Sequence, residues 1–132
     1  MVSHQHKRMA VFSKYIEGIV LQIMRSHAIL QNLKDRPGDL DIIKKELAKI
    51  TGILQVLVNK LEANPAESED FMYFLSPSKY YLENYDFFRE IETMSLLYSE
   101  DPMRVRGIRL AILDALDEKN LIGHMSAFLR GL

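Results

Sequence analysis

The stretch Asp39–Pro65, DLDIIKKELAKITGILQVLVNKLEANP, decides the fold class. Ile43, Leu47, Ile50, Leu54, Leu57 and Leu61 recur at alternating steps of four and three, which places them on one helix face. Ile42, Ile53, Val56 and Val58 widen that face, so the helix is expected to meet more than one neighbour. Asp39 or Asp41 is the expected N-cap and Asn64-Pro65 the expected stop. Gly52 in its interior costs about 1 kcal/mol against Ala, and a close helix crossing is the expected reason.

Upstream, Met9, Phe12, Ile16, Ile19, Ile23, Ser26, Leu30 and Leu33 step by three or four, which predicts an amphipathic helix ending near Lys34. Pro37-Gly38 then marks a turn. Downstream, residues 64–76 read as loop, and Ser76-Pro77 reads as N-cap and first helical position. A third long helix is expected to reach about Tyr98, with Tyr81, Tyr85, Phe88, Ile91, Met94 and Tyr98 on one face. Asp101-Pro102 repeats the cap-plus-proline start for a fourth helix, to about Lys119, with Val105, Ile108, Ile112 and Leu116 inward. A tail helix follows with Leu121, Met125, Phe128 and Leu132 in phase. Strand-period alternation is absent from the sequence. The expected fold is all-α, an antiparallel four-helix bundle with a short C-terminal helix. It forms a single domain over residues 1–132, with residues 1–8 frayed.

Composition narrows the function classes. With 132 residues, 48% hydrophobic and 27% charged, the chain has the make-up of an ordinary globular domain. A net charge of −1 gives no global field toward nucleic acid or an anionic membrane, so no nucleic-acid partner is expected. Zero cysteines exclude disulfides and every Cys-ligated metal site. MVSHQHKRMAVF lacks the apolar run of a signal peptide, and no window is long and apolar enough for a membrane span. A cytoplasmic protein is expected.

Eight of the twelve aromatic residues crowd into the eighteen residues Phe71–Phe88, FMYFLSPSKYYLENYDFF. Each large aromatic ring buries roughly 150–250 Å², so leaving several in water would exceed the apolar patch a monomer ordinarily tolerates. Two outcomes stand open: the segment packs over the bundle end, or it covers a partner. Tyr81, Tyr85 and Phe88 share the inward face. Phe71, Tyr73, Phe74, Tyr80 and Phe87 are therefore the candidate partner-binding residues, suited to an amphipathic or unfolded segment of another protein. The same surface would serve a homodimer.

His27, beside Ser26 at the edge of the first helix's seam, is the candidate for histidine phosphotransfer, which needs a neutral and solvent-reachable imidazole. Its surroundings, MRSHAILQNLK, carry no acidic neighbour, and a boundary histidine is the plainer expectation. His4, His6, His27 and His124 lack the spacing of a metal site, and no cofactor is implied. No nucleophile–base set or phosphate-binding glycine loop can be read, so no enzyme is expected. Arg104, Arg106 and Arg109 crowd one helix start, where ion pairing with Glu100 and Asp101 is expected.

With the helices laid out, the chain resembles the flagellin export chaperones of the FliS type. The residues that carry this are Gly38-Asp39-Leu40, the aliphatic run to Leu61, Glu83-Asn84-Tyr85-Asp86-Phe87-Phe88-Arg89, then Asp101-Pro102 and the helix Val105 to Leu116. The family's N-terminal T-A-S-P stretch has no counterpart here. The resemblance implies a small cytoplasmic bundle that holds a segment of another protein before export.

Overall fold

The computed structural model describes the backbone of residues 2–132 and the side chains of residues 10–132. The candidate imidazoles His4 and His6, and the side chains of the segment expected to fray, lie outside the described residues. The described chain is all-α: α1 (Val2–Asn32), α2 (Asp39–Ala63), a 3₁₀ segment (Glu69–Phe74), α3 (Leu75–Asn84), α4 (Phe88–Leu97), α5 (Pro102–Asp117) and α6 (Leu121–Arg130).

Cross-helix pairs fix the topology. Ser26 bonds Glu46 and Lys60 sits over Tyr15, so α1 and α2 run antiparallel. Lys79 pairs with Glu62, while Phe87 shares a cavity with Leu47, so α3 and α4 descend α2 in succession. Arg109 reaches Leu30 and Phe128 meets Phe71 and, through it, Phe12, so α5 and α6 run along α1 in the opposite sense to it. The molecule is thus a four-column antiparallel bundle: two columns are single helices and two are each broken once. The predicted apolar stripes supply the core, with Ile16, Ile23, Ile43, Ile50, Leu54, Leu57, Ile91 and Ile112 fully buried.

Several expected boundaries shift. The third helix is not continuous. Tyr85 leaves the helical region at φ −129°, ψ 136°, and its N–H to Tyr81 carbonyl bond of 3.1 Å closes α3. Two short polar side chains satisfy the backbone at the break: Asn84 Nδ2 donates to the Tyr80 carbonyl (2.9 Å), and Asp86 Oδ1 accepts from the Phe88 N–H (3.2 Å). The extended residue lets Tyr85 and Phe87 stack at 5.7 Å with rings nearly parallel. Ser76-Pro77 does not open α3, because the 3₁₀ segment flows directly into it at Leu75. Pro77 is buried within the first turn of α3, the part of a helix that tolerates a missing N–H.

Neither Asp39 nor Asp41 caps α2. Gly38, at φ +93°, stands at the cap position, and the Asp39 carboxylate instead accepts the Arg36 N–H at 2.9 Å. Gly52 lies at no crossing: a methyl there would meet nothing within 4 Å. Tyr98, expected inward, is the half-exposed C-cap of α4, and Leu132 is 64% exposed. Asp101 behaves as expected, accepting the Met103 and Arg104 N–H groups at the start of α5.

Candidate functional site

The aromatic window divides between two separate clusters. The first lies at one bundle end, where Phe71 contacts Phe12 and Phe128 with ring centroids 5.9 Å apart in each case. Phe74 meets Phe128 edge-on at 5.5 Å and is completely buried. Tyr73 covers Phe74 at 4.4 Å and His124 at 5.6 Å, leaving 43% of itself exposed. The second cluster flanks the α3–α4 break. Tyr80 and Tyr85 both donate their hydroxyls to Glu118, and the Lys119 ammonium lies 4.7 Å from the Tyr80 ring.

Phe74 and Phe87 are therefore core residues rather than surface. The first is sealed by α6, and the second is stacked on Tyr85 at the break. Phe71 is a half-buried wedge. Tyr73 and Tyr80 keep real surface, but they sit in different clusters and form no common face.

One concentration of exposed apolar side chains lies instead where α4 meets α5. Leu96 is 85% exposed, Leu97 66% and Met103 73%. They neighbour in sequence Tyr98 and Arg104, which with Arg89 and Glu90 rim an open groove of about 480 Å³ floored by Met94, Gly107, Ile108 and Ala111. Arg104, Gly107, Ile108 and Ala111 follow one another at i, i+3, i+4 and i+7, so one side of α5 forms a continuous wall. Arg104 is held upright: its guanidinium stacks 3.7 Å from the Tyr98 ring centroid and pairs with Asp101 at 3.5 Å. Sequence reading passed this site over because Leu96 and Leu97 lack aromatic character. The available signal was that Met103 falls outside the Val105, Ile108, Ile112 and Leu116 stripe.

The polar interior is structural in form. Ser26 Oγ donates to Glu46 at 2.7 Å in a buried pair, and Lys49 reaches the same carboxylate at 3.4 Å. His27 is 9% exposed; burial pushes its pKa below the ordinary value, and nearby Asp117 acts in the opposite direction. Burial favours the neutral form that phosphotransfer requires, but the ring lacks the accessibility. Arg109 does not pair with Glu100 or Asp101. It forks onto Asp35 at 2.7 and 3.0 Å and donates to the Leu30 and Gln31 carbonyls at the C-terminus of α1. Among the described residues, no three His, Asp or Glu side chains gather closely enough to hold a metal ion. No helix among them is long and apolar enough to cross a membrane. Comparison with known protein families, with curated proteins and with solved structures finds no match to this chain.

Proposed function

We propose that this chain is a non-enzymatic protein-binding module, chaperone- or adaptor-like, that holds an apolar segment of another protein in the α4–α5 groove. One observation carries it: Leu96, Leu97 and Met103, three of the most exposed large apolar side chains, stand in the last turn of α4 and the first turn of α5, next in sequence to Tyr98 and Arg104, which rim an open groove with an apolar floor. Burying each would gain about 1.5–3 kcal/mol, which a partner collects and an isolated monomer forgoes. The walls are two helices, which suits a third helix laid between them by its i, i+3, i+4, i+7 anchors. Arg104, rigid against Tyr98, is suited to orient a polar group on the client. The finer reading, a cytoplasmic holder of an export client, rests on the sequence resemblance to FliS-type chaperones.

The test is a photo-crosslinking amino acid placed at Leu97 in cells of origin. A crosslink to a second, different protein that disappears with Met103→Asp is expected. A crosslink only to another copy of this chain would favour a homodimer, and a chain that captures nothing would sink the proposal.

A further inference from the structure

We infer that the outer groove between α1 and α2 is a second docking surface, and that its occupant is an acidic amphipathic helix. The groove, about 430 Å³, is built from Tyr15, Gly18, Ile19, Ile53 and Val56, with Lys14 and Gln22 at its edge. Its lining includes no carboxylate. Tyr15 at 43% and Val56 at 41% exposure leave its apolar strip open to water, and Val11, one turn before Tyr15, is 70% exposed.

The flanks are basic although the whole chain carries a net charge of −1. Lys60 extends over the Tyr15 ring, its ammonium 5.4 Å from the centroid, so it stands directly beside the groove. Lys49 precedes Ile53 by four residues and Lys45 precedes Lys49 by four, which continues the same stripe of α2. On α1, Arg25 follows Gln22 by three and extends the other flank. Glu46, next to Lys45 on α2, is buried and committed to Ser26 and Lys49. An apolar strip between cationic rows is complementary to a helix with an apolar seam and Asp or Glu on both flanks.

Two glycines say how close that helix can come. Gly18 and Gly52 lie inside α1 and α2, and a methyl on either would meet nothing within 4 Å. Each weakens its helix without serving any contact inside the bundle. Gly18 lines the groove, where it lowers the wall and admits a neighbouring backbone, and Gly52 directly precedes the lining residue Ile53. The surface is concave and bounded by two helices, which fits a rod better than the plane of a lipid bilayer.

The experiment is fluorescence anisotropy on the full chain with two labelled model helices that share one leucine seam. One carries Glu on both flanks, the other Lys. The Glu peptide should bind, lose affinity as salt rises, and weaken at least about tenfold with Lys14→Glu plus Lys60→Glu, two surface changes that leave circular dichroism unaltered. Gly18→Leu should block it. Leu97→Asp, in the α4–α5 groove, should leave it unchanged, so this surface and the proposed client site fail or succeed separately. Equal binding of both peptides, no binding of the Glu peptide, or indifference to charge reversal would overturn the inference. So would co-sedimentation with phosphatidylserine vesicles in place of peptide binding.

Discussion

Arg109 and Asp35 lie 74 positions apart, yet they make the best-formed ion pair in the described structure. Both side chains are nearly buried, at 10% and 14% exposure, and the guanidinium also satisfies two carbonyls that the end of α1 leaves without helical partners. Asp35 holds a left-handed backbone, φ +61°, which Asn tolerates and Ala does not. Asp35→Ala should therefore cost about 3 kcal/mol by stranding a buried charge, and Asp35→Asn measurably less, as read from urea midpoints. Arg109→Met combined with Asp35→Asn should recover part of the loss in a double-mutant cycle.

His27 gives a pH prediction. Its pKa is lowered in the folded state, so the unfolded chain binds the proton more readily. The contribution of the neutral ring is complete above the unfolded value of 6.5 and declines as pH falls below it. His27→Gln should flatten that decline, so the stability gap between wild type and variant should change between about pH 7.5 and pH 5.5. An identical slope in both proteins would show that the imidazole is freely solvated.

At the scale of elements, helix cores were legible and helix joints were not. The Ile43–Leu61 and Val105–Leu116 stripes are buried as their spacing dictates, because a 3.6-residue period leaves one face for the core. Ser76-Pro77 and Asp39 misled because capping types also serve inside a first turn or reach back to a preceding N–H. The α3–α4 break escaped because Tyr81, Tyr85 and Phe88 are in helical phase although the backbone turns extended at Tyr85. The aromatic window left core packing and partner coverage open, and helical phase alone could not show that Phe74, Tyr81 and Phe87 are the ones buried.

The glycines and the one satisfied aspartate cap give the element-scale predictions. Gly52→Ala and Gly107→Ala should each raise stability by about 0.4–1 kcal/mol, since neither site crowds a methyl. Gly38→Ala should do the opposite and cost about 1–2 kcal/mol, because φ +93° is strained for any L side chain. Asp101→Ala should lose about 1 kcal/mol through two unsatisfied N–H groups at the start of α5. Thermal or urea unfolding of the four variants side by side measures all of these.

Across the whole molecule, the breaks in the third and fourth columns fall at one level. Tyr85, in the first break, donates its hydroxyl to Glu118, which ends α5 at the second. Ser26–Glu46, His27 and nearby Asp117 belong to the same zone, as does a cavity of about 280 Å³ lined by Leu47, Thr51, Tyr85 and Phe87. Only α1 and α2 pass through it without interruption. This polar waist divides the side columns into an α4–α5 half and an α3–α6 half.

The waist makes the bundle mechanically a long two-stranded spar carrying two detachable panels. A panel can swing away by breaking contacts on one side of the waist while the spar and the other panel keep theirs, so its opening costs less than global unfolding. Native-state hydrogen exchange should accordingly show α4 and the first half of α5 opening together and ahead of α3 and α6, with the centre of α2 slowest. Glu118→Gln, which weakens the Tyr80 and Tyr85 clasp, should raise exchange in both panels and leave the spar untouched. Because Ile91, Val105 and Ile108 of that panel belong to the buried core, the core sets most of the energy of its opening and the clasp adds to it.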